Sequence, residues 1–191
     1  MAIRKVARMG HPVLRKIGKT LTEKEIKSEE IQRLIVDMHE TMIEYEGIGL
    51  AAPQIHESLQ LAIIEFGEDS DRYPGMGAQG LTVFINPKIT ILDTQEQGFW
   101  EGCLSVPELR GLVYRPRKVQ VEFLDEKAKP QKIVAEGFLA TVIQHELDHL
   151  QGTLFIDRLK NEPGKTPLAF TEEYARYWAP EEGDDVGELD D

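Results

Sequence analysis

The stretch His145-Glu146-Leu147-Asp148-His149 decides how this chain reads. Four residues apart on a helix, His145 and His149 project from one face, because the helix turns once in about 3.6 residues. Two imidazoles so placed can hold one metal ion and leave positions open for chemistry. Glu146 lies about 100° further round. It is better placed as a general base beside the metal than as a third ligand. The surrounding residues argue for burial. Phe138, Val142, His145 and His149 form one stripe and Leu139, Ile143, Leu147 and Leu150 a second, leaving Gln144, Asp148 and Gln151 as the polar face. Histidines also occur as hydrogen-bonded core or surface residues. A pair at this depth needs partners, and a metal satisfies both.

A catalytic site needs a third protein ligand. No histidine follows His149, and the downstream carboxylates Asp157 and Glu162 sit in no recognisable motif. Upstream, Glu101-Gly102-Cys103-Leu104-Ser105-Val106-Pro107 offers a better candidate. A thiolate is a strong ligand for Zn²⁺ or Fe²⁺, and coordination lowers its pKa. The alternative is a buried structural cysteine. A further stretch, Gly47-Ile48-Gly49-Leu50-Ala51-Ala52-Pro53-Gln54, reads alone as a glycine-rich turn after a helix and lacks the spacing of a nucleotide-binding loop.

The remaining chain supplies the frame. Gly10-His11-Pro12 marks a turn or extended piece. Thr22 followed by Glu25 is a capping box. Ile31, Leu34, Ile35, Met38 and Met42 recur at helical spacing, predicting a long amphipathic helix that ends near Tyr45, with Gly47 and Gly49 stopping it. His39 and the methionines of that helix read as packing or surface residues. Strands are expected over 59–66 and 81–92, separated by a surface excursion over 67–80 rich in Asp, Gly and Pro. Strand character returns around Phe99, and Val119, Val121 and Phe123 alternate with polar residues. Asp125 to Gln131 is a turn and Lys132 to Glu136 a return strand, with Gly137 before the histidine helix. A break at 162–165 and a short helix over 170–178 complete the pattern. This order suits an α+β domain, with mixed or antiparallel sheet packed around a central metal-binding helix, and excludes regular βαβ alternation. Residues 1–178 read as one domain and 179–191 as an acidic, solvated tail.

Composition narrows the function classes. The net charge of −12 disfavours nonspecific binding to nucleic acid or to an anionic membrane. Arg110, Arg115, Arg117 and Lys118 are a candidate local basic patch. No apolar run reaches the ~18–20 residues of a membrane span. The basic N-terminus lacks the apolar run of a secretory signal. The single cysteine, Cys103, precludes an intrachain disulfide and suits a reducing cytoplasm.

Three stretches in order, Gly47 to Gln54, Glu101 to Ser105 and Gln144 to His149, resemble the peptide deformylases. The likeness runs over roughly residues 3 to 160 and takes in Gly10-His11-Pro12 and Glu108-Leu109-Arg110. It implies that Cys103, His145 and His149 hold the metal and that Glu146 is the general acid/base. Gln54 and the backbone N–H of Leu104 would stabilise an oxyanion. The family uses ferrous iron naturally, and many members work with nickel, cobalt or zinc. Its reaction removes the formyl group from the initiator methionine of new polypeptides. Substrate would pair as an added strand with Ile48-Gly49 and with Glu101-Gly102 before the cysteine. Ile48, Phe99, Phe138 and Val142 would wall the methionine pocket, and Arg110 would fix the far end. Some relatives approach the ribosome through a C-terminal helix. The acidic tail here would be repelled by RNA phosphates, leaving the 170–178 segment or another surface for any transient contact.

Overall fold

The computed structural model describes residues 2–67, 79–160 and, as backbone, 168–170. Most of the 67–80 excursion, the 162–165 break, nearly all of the 170–178 segment and the 179–191 tail lie outside the described residues.

Two serine/threonine caps start two helices where the periodicity suggested one. The capping box at Thr22 and Glu25 opens only a single turn, α1 (Glu23–Ile26). Ser28 then accepts from the Ile31 N–H and opens α2 (Glu29–Glu44). The end of α2 also differs from expectation. Glu46, not a glycine, takes the left-handed conformation (φ 54), and the Gly47 N–H returns to the Met42 carbonyl at 2.9 Å. Met38 and Met42 are buried, and His39 pairs at the surface with Glu65 at 2.5 Å, so none of them faces a metal.

The sheet runs β1 (Gly49–Ala51), β2 (Leu61–Phe66), β3 (Gln79–Cys103), β4 (Val106–Leu124) and β5 (Pro130–Glu136) in spatial order, and each pairing is antiparallel. A short β6 (Leu168–Phe170) joins β4 at Leu109–Gly111. The two strands expected over 81–92 and around Phe99 are one. The polar run at Asp93–Glu96 reads as a break in sequence, but pairing with β4 continues through it with two register shifts. At its far end β3 turns into β4 through Leu104 and Ser105, so Cys103 sits at a hairpin tip. A turn forms where expected, but it is shorter: β5 begins at Pro130, so Pro130 and Gln131 pair with Leu124 and Phe123 instead of belonging to the turn. The Asp125 carboxylate accepts from the Lys127 and Lys129 N–H groups at 2.9 and 2.8 Å.

α3 (Gly137–Leu150) lies against this sheet, with Ala140, Val142, Ile143, Leu147 and Leu150 packed among Val119, Val121, Phe84 and Ala62. A second apolar cluster joins α2 to β2. Gln144, expected on a polar face, is itself buried and donates to the Pro116 carbonyl at 2.9 Å. The N-terminal stretch clamps both loops next to α3. The Ala7 N–H bonds the Gln54 carbonyl and the Met9 N–H the Ser105 carbonyl, each at 2.7 Å. Among the described residues no helix is long and apolar enough to cross a membrane.

The basic patch dissolves on folding. Arg115 is buried against Glu101 and Asp148, Arg117 pairs with Asp93 at 2.7 Å, and Lys118 with Glu136 at 2.9 Å. Each meets an acidic neighbour on an adjacent strand or on the helix over Gly137–Leu150.

Candidate metal centre

Two elements far apart in sequence converge on one point. The hairpin tip brings Cys103, and one face of α3 brings His145 and His149, whose ring centroids lie 5.1 Å apart. Their ligand atoms all fall within 4.8 Å of one another. Cys103 Sγ lies 3.3 Å from His149 Nε2, close to the roughly 3.5 Å expected between ligand atoms sharing a tetrahedral ion.

The donor set fits a divalent cation. Burial alone pushes the Cys103 thiol up, but His149 and His145 outweigh it and hold the thiol well below its usual range. A thiolate and two imidazoles with no other cation between them is the composition a borderline-soft metal satisfies. A buried atom without a partner lies beside them: Glu146 Oε2 is enclosed and makes no hydrogen bond, which costs free energy unless something polar arrives.

Glu146 lies on the neighbouring face of α3, 5 % exposed. Its carboxylate occupies the space where a Cβ on Gly49 would stand, so only glycine allows β1 to run this close. Burial raises the Glu146 pKa to about 7, with His145 and His149 opposing and Cys103 and Glu101 adding to the rise. A carboxyl poised there can hold or release a proton near neutral pH.

Gln54 is aimed into the same point. Its Oε1 accepts from the Ala51 N–H at 2.8 Å, which fixes the amide. Its Nε2 then faces Cys103 Sγ at 3.4 Å and Ser105 Oγ at 3.3 Å. Leu104 is the first residue of the hairpin turn, and its carbonyl accepts from Arg8 at 2.5 Å.

Glu101 behaves differently from a substrate contact. Both its carboxylate oxygens are taken, by Arg115 at 2.5 and 2.9 Å and by His145 Nδ1 at 2.7 Å. Burial alone would raise its pKa, but these partners hold it at about 2. It therefore orients His145 from behind, leaving the other ring nitrogen for the cluster. That role was missed in the sequence, where Glu101 was grouped with substrate-facing residues. The spacing of two residues along a strand from Cys103 carried a signal, since i and i+2 share a face.

The residues expected to wall a pocket are brought together. Ile48, Phe99, Phe138 and Val142 belong to one apolar cluster, with the Phe99 and Phe138 rings 5.5 Å apart. The Arg110 guanidinium lies over Gly102, its register partner, where any side chain on Gly102 would collide.

An α+β domain whose antiparallel sheet carries a thiolate to a His-Glu-x-x-His helix defines a class, the mononuclear metal-dependent hydrolases with a Cys-His-His donor set. Comparison with known proteins is more specific. The family model described as polypeptide deformylase matches residues 3–164. A peptide deformylase of Leptospira biflexa is 44% identical over 161 residues, spanning 84% of this chain and 90% of that protein. Peptide deformylase 2 of Pseudomonas putida is 43% identical over 159 residues, 83% and 89% of the two. Among solved structures, a Met-Ala-Ser-bound class I type b peptide deformylase from Acinetobacter baumannii superposes with TM-score 0.78 at 35% identity, covering 83% of this chain and 99% of that one. One from Synechococcus elongatus in complex with actinonin gives 0.72 at 38%, covering 84% and 85%. The chain belongs to the polypeptide deformylase family. Its activity is the metal-dependent removal of the N-formyl group from newly made polypeptides.

Proposed function

We propose that Cys103, His145 and His149 are the protein ligands of a single divalent ion, ferrous iron natively, with zinc, nickel or cobalt able to take its place in purified protein. The observation that carries this reading is the convergence of one thiolate and two imidazoles within 4.8 Å. When bound, such an ion supplies Lewis acidity and lowers the pKa of water to about 7.

The chain's own groups do the rest. Glu146 accepts a proton from the attacking water and returns it to the departing amine, which would otherwise leave as an anion. Negative charge develops on the formyl oxygen. The Gln54 amide, locked by the Ala51 N–H, and the Leu104 N–H at the hairpin turn are its donors, and one such donor is typically worth ~3–4 kcal/mol. Burial strengthens each of these contacts by excluding water.

An extended peptide fits the sheet edges beside the cluster. Among the described residues β1 pairs only with β2, and the Phe99–Gly102 end of β3 only with β4. Both leave an edge open for main-chain hydrogen bonds. Ile48 and Gly49 serve one side and the backbone of Glu101 and Gly102 the other, while the Glu101 carboxylate stays with Arg115. Ile48, Phe99, Phe138 and Val142 receive the methionine side chain, and Arg110 meets the substrate beyond it. The Acinetobacter relative binds Met-Ala-Ser, a short peptide with methionine first, which is the class of ligand this reading calls for. The substrate arises at the ribosome in the cytoplasm. A net charge of −12 favours transient contact there over lasting attachment to RNA.

Anaerobic purification with metal analysis, followed by formate release from formyl-Met peptides by ferrous and zinc forms, tests the assignment. One equivalent of metal and formate release are expected. Full activity in Cys103→Ala would overturn the ligand set.

A further inference from the structure

We propose that Arg115 is a positioning residue for the metal centre: one buried guanidinium ties the strand that carries Cys103 to the helix that carries His145 and His149. This rests on the metal reading above. The Arg115 side chain is 3% exposed. Its Nε and Nη2 donate to the two oxygens of Glu101 at 2.5 and 2.9 Å. Its Nη1 donates to Asp148 at 2.8 Å. Glu101 stands two residues before Cys103 and accepts from His145 Nδ1, and Asp148 immediately precedes His149. All three ligands are thus within two residues, or one hydrogen bond, of a carboxylate that Arg115 grips.

The chemistry of the pair explains the choice of arginine. A planar fork matches a carboxylate on one side and still directs a third N–H to Asp148, which an ammonium cannot do in fixed geometry. Stability alone is a weak reason for such a network, since buried ion pairs often do no better than apolar replacements of the same volume. Position is a better one. With Glu101 held by two bonds, its remaining lone pair fixes the His145 ring and its tautomer. With Asp148 held, the last turn of α3 cannot rotate His149 away from the hairpin tip. Arg158 also reaches Asp148 at 2.5 Å, but its side chain is 45% exposed and it takes no part in the Glu101 fork. It serves as the control.

The test is a competition titration of the metal-free full chain with Co²⁺ against a chelator of known affinity, alongside thermal melting. Arg115→Met and Arg115→Lys should each weaken Co²⁺ binding ~10–100-fold. Asp148→Asn, which leaves the Glu101 fork intact, should weaken it in the same direction. Arg158→Gln should stay within about threefold, as expected of an exposed pair. A folded Arg115→Met protein with wild-type affinity overturns the proposal, even if its melting point falls, because a purely structural role moves only the melting point. If Arg115→Met does not fold, Arg115→Lys and Asp148→Asn decide, and wild-type affinity in both overturns it. A wild type that binds no Co²⁺ overturns the metal reading itself, and this proposal with it.

Discussion

Replacing Gly49 by alanine probes the site at its tightest approach. The new Cβ would lie 2.6 Å from Cδ and 2.7 Å from Cγ of Glu146, and closer still to its Oε1. Ordinary contact requires a retreat of roughly 0.8 Å by the carboxylate carbon. Turning the carboxylate in place does not suffice, because Cγ is blocked as well. Nor can α3 back away, since Ile143, Leu147 and Leu150 on its other faces are buried. Glu146 must therefore leave its rotamer. A displacement near 1 Å from productive geometry costs about 100-fold in rate, which is about 2.7 kcal/mol of transition-state stabilisation. The metal should remain, because the added methyl meets Glu146 and not Cys103, His145 or His149. Overpacking of this kind also costs about 1–3 kcal/mol of stability, so the rate is read well below the variant's own melting temperature, where the protein is folded. Formate release from a formyl-Met peptide at matched metal content separates the possibilities. Displacement of the base lowers kcat, whereas crowding of the substrate strand raises KM with kcat kept. A kcat within about threefold of wild type at full metal occupancy would refute the placement of Glu146 as the proton carrier.

Three further outcomes are expected. Glu146→Gln should bind a full equivalent of metal yet lose about 10²–10⁴-fold in turnover, and near-normal formate release would remove Glu146 from the mechanism. Chelation should lower the melting temperature, with re-addition restoring it as the metal concentration exceeds its dissociation constant; a melting curve indifferent to metal would count against Cys103, His145 and His149 as ligands. Acid should act through Glu101. Its pKa is about 2 in the fold against 4.5 for an unperturbed glutamate, so its contribution is complete above about 4.5 and is lost as pH falls towards 2. Denaturant midpoints of the metal-free protein should drop through that window in the wild type and less steeply in Glu101→Gln; parallel pH profiles would exclude the effect.

Legibility in the sequence followed periodicity. The α3 stripes, the α2 stripe and the alternation of Val119, Val121 and Phe123 each report a local repeat, and each element lies where its repeat placed it. The Cys103, His145 and His149 group was legible because i and i+4 geometry is local and because a single cysteine leaves few choices. What escaped depends on contacts across sequence. Asp93 to Glu96 looks like a break, but strand pairing with β4 supplies hydrogen bonds that polar side chains alone would not. Arg115, Arg117 and Lys118 look like a patch, but acidic neighbours on β3, α3 and β5 neutralise them. Glu101 looks like part of a substrate edge until Arg115 and His145 are seen to occupy both its oxygens.

The same contacts explain how a site drawn from three separated stretches can be ready for its ion. Ligand ordering normally subtracts from affinity. Here the ordering is done by groups that remain engaged without metal: Arg115 on Glu101, Glu101 on His145, the Ala51 N–H on Gln54, and the Met9 N–H on Ser105 beside the hairpin tip. Each of these bonds is made by an atom that the metal and the substrate do not need. Of the atoms they do need, the Gln54 amide faces Cys103 Sγ and Glu146 Oε2 is left without a partner. That division of labour lets a rigid shell carry reactive groups whose own hydrogen bonding is incomplete.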